Sequence, residues 1–292
     1  MNRCVAFLLA LMFATLTVSS ACIAAIPSDW VAFELRPESG NGAKIHASFR
    51  DEQRDRDTNS WSTGFRPSEL LGLDLAGFRN GGSRPVHFAI VREAGRLDCA
   101  GNGGGSHAYG NCRFTADAGF TQLLASRGIG RPSREQAFGL MAINARREVI
   151  DALAAARFPT PTIDDLMGLT ALGVDGRYIG DLARAGYRPN KIDKLIEFKA
   201  LGITPEWIGG FARMGYGAIP ADELVQLRAL NVTPEFVAGF DRAGFGRLPV
   251  DTLVQFKALG ITPEFARSAG ARFQSRLSVD DLVEAKLFGR PR

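Results

Sequence analysis

The chain has little of what active sites and metal centres are commonly built from: three histidines and four cysteines in 292 residues. No HExxH, GxSxG, Gly-Lys-Ser/Thr, paired CxxC or carboxylate-rich metal loop occurs. The signatures of zinc peptidases, serine hydrolases, P-loop nucleotide enzymes and zinc ribbons are therefore missing. His46, His87 and His107 fall in separate strand or loop contexts, and His87 is placed opposite the apolar Val86 and Phe88, which suits an exposed strand position. Charge of one sign is also scarce. A net charge of +4 is too small to argue for nucleic acid. No enzyme activity and no cofactor is expected from these residues.

Beyond the first residues the chain has no apolar run of comparable length, so no transmembrane segment is expected in the mature protein. Arg3 precedes an apolar run from Val5 to about Val18, followed by small residues at Ser19-Ser20-Ala21 and Ala24-Ala25. This is the layout of a secretory signal peptide over 1–25, and it predicts a periplasmic or secreted protein. Cys22 raises the alternative of a lipid anchor, but Ser19 stands where lipoprotein motifs usually carry a large aliphatic residue.

What the chain does have is a period. Leu166, Leu195, Leu224, Leu253 and Leu282 are 29 residues apart, as are Gly173, Gly202, Asn231, Gly260 and Gly289. Thr204-Pro205, Thr233-Pro234 and Thr262-Pro263 keep the same step. A fixed period of this size marks stacked repeats, each too small to bury its apolar face alone. The unit reads as two short helices, one stopping at the glycine or asparagine column, the next opening with a threonine N-cap and proline at the first turn. Gly210 and Gly239 lie inside second helices, where glycine costs about 1 kcal/mol against alanine, so a closely approaching neighbour is expected there. The register extends back through a degenerate unit at about 133–161, with Asn144 in the glycine column, to a lone second helix capped by Asp117. Arg146, Arg157, Arg272 and Gln274 add polar character near the ends, as terminal units require.

Two basic columns share the repeat. Lys199, Arg228, Lys257 and Lys286 occupy one position, and Arg184, Arg213 and Arg242 another, making them the candidate partner-binding residues. Ordinary solvated helix faces are the competing reading. Asp164, Asp193, Asp222, Asp251 and Asp280 form an acidic column that helix-start stabilisation explains in full.

Ahead of the repeats the period changes to two. Val31, Phe33 and Leu35 alternate, as do Ile45, Ala47 and Phe49, then Val86, Phe88 and Ile90, predicting an antiparallel β domain over 27–116. Ser39 to Gly42 and Asn80 to Ser83 read as turns, and the mixed-sign run Arg50 to Asp57 as a solvated loop. Cys99 and Cys112 bracket a glycine-rich stretch, 100–111, read as a flexible hairpin tip between a strand ending near Cys99 and one restarting at Cys112. In an exported protein the two are expected to form a disulfide. With His107 they would make only an incomplete metal set.

Val86 to Gly95, the glycine-rich stretch to Phe114, and the Leu-Gly-Ile-Thr-Pro-Glu-Trp/Phe repeats resemble a repeat region of exported bacterial proteins. The same region is similar to that behind the membrane-metallopeptidase domain of some beta-lactam-sensor-type antirepressor peptidases. The resemblance covers about 85–292. It brings no peptidase domain and no zinc-binding helix, so no catalytic residue is carried over. It implies an envelope-facing sensing or interaction module. The sequence thus predicts an α+β protein: a β domain, then an α-solenoid over 117–292. Its expected role is a non-catalytic scaffold for a protein partner in the bacterial envelope. The alternative is a sensor whose β domain binds a small molecule or glycan and relays occupancy to a membrane partner.

Overall fold

A computed structural model describes residues 30–38, 44–50, 60–273 and 277–289. The expected signal peptide with Cys4 and Cys22, the turn at 39–42, all of the charge run after Arg50, and Gln274 lie outside the described residues.

Six strands form one sheet: β1 Trp30–Pro37, β2 Ile45–Arg50, β3 Ser60–Phe65, β4 Arg84–Arg92, β5 Gly95–Gly104 and β6 His107–Ala116. Their order is β3-β2-β1-β6-β5-β4, with every neighbouring pair antiparallel. The period-two pattern sets the faces as expected, since Val31, Phe33, Leu35, Ile45, Ala47, Phe49, Val86, Phe88 and Ile90 are all buried. The edges of the sheet also meet. Arg92 at the end of β4 lies 5.2 Å from the ring of Trp61 and 5.4 Å from that of Phe65, both on β3. A short helix, α1 (Leu75–Asn80), follows β3 and is capped by Asp74, whose Oδ1 accepts from Gly77 N–H at 3.0 Å. Neither β3 nor α1 was expected from sequence, where little apolar alternation marks them.

The glycine-rich stretch is strand rather than loop. β5 runs on to Gly104 and β6 begins at His107, paired residue by residue from Gly95↔Ala116 to Gly104↔His107. The turn is only Gly105-Ser106, with φ of 60° and 67°, the double left-handed geometry of a tight hairpin. The glycines are there for close approach, not flexibility. A Cβ on Gly103 would lie 2.4 Å from that of Ala108, and one on Gly104 2.3 Å from the Gly82 carbonyl oxygen. The tip is also docked, with Gly105 N–H donating to Gly81 O at 2.8 Å and Ser106 N–H to Phe78 O at 2.7 Å. Cys99 and Cys112 face each other across this ladder and are joined by a disulfide, both on the buried side.

Twelve further helices follow among the described residues. The first of each pair are α3 Arg134–Ala142, α5 Ile163–Ala171, α7 Ile192–Ala200, α9 Ala221–Ala229, α11 Val250–Ala258 and α13 Val279–Phe288. The second are α2 Ala118–Ser126, α4 Arg147–Ala155, α6 Gly176–Arg184, α8 Pro205–Arg213, α10 Pro234–Arg242 and α12 Pro263–Phe273. The lone opening helix at Asp117 is present, with Oδ1 accepting from Phe120 N–H at 2.6 Å. Ser133, Thr162, Thr204, Thr233 and Ser278 are side-chain N-caps. The column Asn144, Gly173, Gly202, Asn231, Gly260 and Gly289 has positive φ throughout, as a left-handed helix stop requires. A second such column ends the other helices at Gly128, Arg157, Gly186, Gly215 and Gly244.

Helices pack on their second neighbours in the chain: α4 on α6, α6 on α8, α8 on α10, α10 on α12, and likewise α3 on α5 through α11. The tight spots fall at the repeat glycines, where a Cβ on Gly210 would lie 2.4 Å from Pro234 Cγ and one on Gly239 2.4 Å from Pro263 Cγ. Leu166, Leu195, Leu224, Leu253 and Leu282 are fully buried. One apolar core continues from the sheet into the helices, with Phe114 of β6 edge-on to Phe138 of α3 at 5.4 Å.

Candidate functional site

The first basic column proves to be a stacking column. Lys199 Nζ lies 4.6 Å from the ring centre of Tyr178, Lys257 Nζ 4.7 Å from Phe236, and Lys286 Nζ 5.1 Å from Phe265. The Arg228 guanidinium lies 5.6 Å from Trp207. Each cation sits on the first helix of a pair and each aromatic on the second helix before it, 21 residues back. These distances are cation–π contacts, worth about 0.5–1 kcal/mol each at exposed sites and more when desolvated. Arg228 also donates through Nε to Leu201 O at 2.8 Å, bonding a carbonyl at the end of α7. Lys199, Arg228 and Lys257 are accordingly half-buried, and only Lys286 is exposed. The aromatic column Tyr178, Trp207, Phe236, Phe265, legible at the same 29-residue step, holds these four candidate partner-binding residues.

The second column is different. Arg184, Arg213 and Arg242 are exposed at the last turns of α6, α8 and α10. Arg184 pairs with Asp181. At the opposite ends of the second helices stand Glu206, Glu235 and Glu264, also exposed. Hydrogen bonds from their own backbone amides, then from Thr204, Thr233 and Thr262, hold their carboxyls below the usual glutamate range. Members of these columns meet at a cleft between two units. The cleft, of about 450 Å³, is lined by Glu235, Phe236, Arg242, Lys257, Pro263 and Glu264.

The sheet carries a second cluster that the sequence did not join. Because β1 is inserted between β2 and β6, residues distant in sequence share its solvent face. Ser62, Ser48, Glu34, Tyr109 and Asn102 stand in one cross-strand row, and Ser60, Arg50, Ala32 and Asn111 in the next. His107 Nε2 is 3.0 Å from Glu34 Oε1, and Arg36 Nε is 3.3 Å from the same oxygen. His46 Nε2 is 3.4 Å from Ser48 Oγ. A depression of about 400 Å³ includes Glu34, Ser48, Arg50, His107, Tyr109 and Asn111. The histidines are therefore not unrelated: His46 and His107 lie on this one face, and His87, exposed on edge strand β4, shares it through Ala100 in the row of Asn111. Only strand order, which periodicity does not report, brings them together.

Among the described residues no group of three or more His, Cys, Asp or Glu is placed to hold a metal ion. The disulfide removes Cys99 and Cys112 from any such set, and His107 points to the other face of β6. No helix among these residues is long and apolar enough to cross a membrane. No protein-family model matches the chain, and no curated protein matches it.

Proposed function

We propose that the protein is a non-catalytic scaffold, exported to the bacterial periplasm or beyond, whose helices form an α-solenoid of 29-residue pairs that binds a protein partner. The second-neighbour packing of α3 to α12 and the repeated caps support the solenoid reading. The observation that carries the binding role is the column Arg184, Arg213 and Arg242, exposed at one repeat position while the other basic column is stacked on aromatics. Arginine at a fixed interval on a rigid stack suits carboxylate recognition, since its planar fork engages both oxygens at once. The displaced titrations support a structural role for the groups concerned: buried tyrosines, capping glutamates and paired cations account for them. The resemblance to exported repeat proteins and to the region behind sensor peptidases points to the same envelope setting.

The test is in-cell crosslinking of the wild type and of the Arg213→Glu/Arg242→Glu double variant, followed by capture of the crosslinked partner. Loss of the crosslink with an unchanged urea midpoint supports the arginine column. An undiminished crosslink removes it.

A further inference from the structure

We propose that the solvent face of the sheet is a saccharide-binding site, with Tyr109 as its platform and Glu34, His107, Asn111 and Ser48 as its hydrogen-bonding rim. The inference stands on the sheet alone and does not depend on the helices binding a protein. Tyr109 is 61% exposed, the most open large hydrophobic side chain on the sheet among the described residues. It stands on β6, one of the two central strands of the sheet, with Glu34 on one side and Asn102 on the other. Among the described residues the one aromatic ring near it is that of His107, at 6.2 Å and tilted by 56°, so no described ring stacks on it.

The groups around it are of the kind that read hydroxyls. Glu34 is oriented by His107 at 3.0 Å and Arg36 at 3.3 Å, both at Oε1. A carboxylate has about four lone-pair sites, so Oε2 remains able to accept. Asn111 supplies both a donor and an acceptor, and Ser48 a hydroxyl. Formal charge is mixed, with Glu34 paired to Arg36 and Arg50 one step away on the diagonal, which gives no strong field for a phosphate or a polycation. A pyranose matches this combination: one apolar C–H face to lie on an aromatic ring and a rim of hydroxyls to exchange hydrogen bonds. Tyrosine provides such a rigid amphipathic contact at low entropic cost. The depression of about 400 Å³ lies within the range of about 300–1,000 Å³ common for small-ligand sites. The face is also pre-organised. β6, which bears His107, Tyr109 and Asn111, is held from beneath by the Cys99–Cys112 disulfide and by the glycine ladder of β5.

The ligand class is a neutral saccharide, tested with chitotriose, cellotriose and maltotriose by calorimetric titration of the full-length chain. Titration to about 10 mM registers a Kd as weak as about 1 mM. At least one trisaccharide is expected to bind saturably, with Tyr109→Ala weakening it about tenfold or more and Tyr109→Phe retaining most of it. Glu34→Gln and Asn111→Ala are expected to weaken it less, and Arg213→Glu not at all. Matching urea midpoints show that the variants are folded. If none of the three binds, or if Tyr109→Ala binds as the wild type does, the proposal is overturned.

Discussion

Arg92, the last residue of β4, donates from its guanidinium to the carbonyl of Met141 at 2.8 Å, and the same nitrogen also bonds Ala142 O. It therefore ends helix α3 while lying over Trp61 and Phe65 of the opposite sheet edge. The two edge strands of the sheet and the first full repeat meet at one side chain. Burial lowers its pKa from the ordinary arginine value, opposed by the carboxylate of Glu69. Glu93 reinforces the junction by accepting from Arg147 N–H at 2.8 Å, at the start of α4.

Arg92→Ala should therefore lower stability by about 2–3 kcal/mol, because charge-assisted bonds to half-buried carbonyls and two ring contacts are lost together. Arg92→Lys should recover less than half, since an ammonium cannot reproduce the planar fork. Urea midpoints measure both. A loss below about 0.5 kcal/mol for the alanine variant would show that packing alone joins sheet to helices.

Two glycines of the second helices should respond oppositely to alanine. At Gly180 a Cβ would meet nothing within 4 Å, so Gly180→Ala should gain up to about 1 kcal/mol of helix propensity. At Gly210 the new methyl would fall 2.4 Å from Pro234 Cγ in the next pair, and overpacking of about 1–3 kcal/mol should win. Thermal melts of the two variants should move in opposite directions. Movement in the same direction would mean that the pairs slide freely past each other.

How far the sequence reaches is visible in these positions. The repeat register, the cap columns and the alternation of the core strands are legible because each depends on neighbours within a turn or a pleat. Gly210 and Gly239 betrayed a close contact for the same reason, as glycine in a helix needs a cause. The glycine-rich β5–β6 hairpin misled because glycine signals equally a flexible loop and two backbones pressed together; only its partners Ala108 and Gly82 decide. The stacking of Lys257 on Phe236 was open to inspection as two columns at one period, but which faces meet is a matter of packing. Glu34 and His107 are 73 residues apart, and nothing short of the strand order joins them.

Arg157 occupies a left-handed position, φ 60°, where Gly128, Gly186, Gly215 and Gly244 stand in the other units. A non-glycine residue there carries about 1–2 kcal/mol of steric cost, partly offset by a stiffer unfolded chain. Arg157→Gly should raise the urea midpoint by the equivalent of up to about 1 kcal/mol. A loss would reveal that the arginine side chain contributes more than its backbone costs.

The two basic columns should separate in stability. Arg228→Ala removes a bond to Leu201 O and the contact with Trp207, and should cost about 1–2 kcal/mol. Arg213→Ala, at an exposed last turn, should stay within about 0.5 kcal/mol. Leu224→Ala, fully buried in the same unit as Arg228, should exceed both at about 2–5 kcal/mol. Equal effects at Arg228 and Arg213 would return the stacked column to the free surface.

Alkali should unfold this protein through its tyrosines. Burial raises the pKa of Tyr178, Tyr187 and Tyr216 above the ordinary value of 10.0. Tyr178 and Tyr216 donate to Ile203 O at 2.7 Å and Leu248 O at 2.6 Å, bonds that require the neutral phenol. Above about pH 10 the unfolded chain loses these protons while the folded chain keeps them, so the unfolded state binds fewer protons and stability falls as pH rises. The stabilisation is complete below about pH 10 and is lost toward the higher folded-state pKa. Tyr178 has the largest shift and should set a slope of at most about 1.4 kcal/mol per pH unit. Tyr178→Phe removes the titrating group while keeping the ring under Lys199, so its urea midpoint should fall less steeply from pH 10 upward than that of the wild type. Parallel declines in the two proteins would place the alkaline sensitivity in the lysines instead.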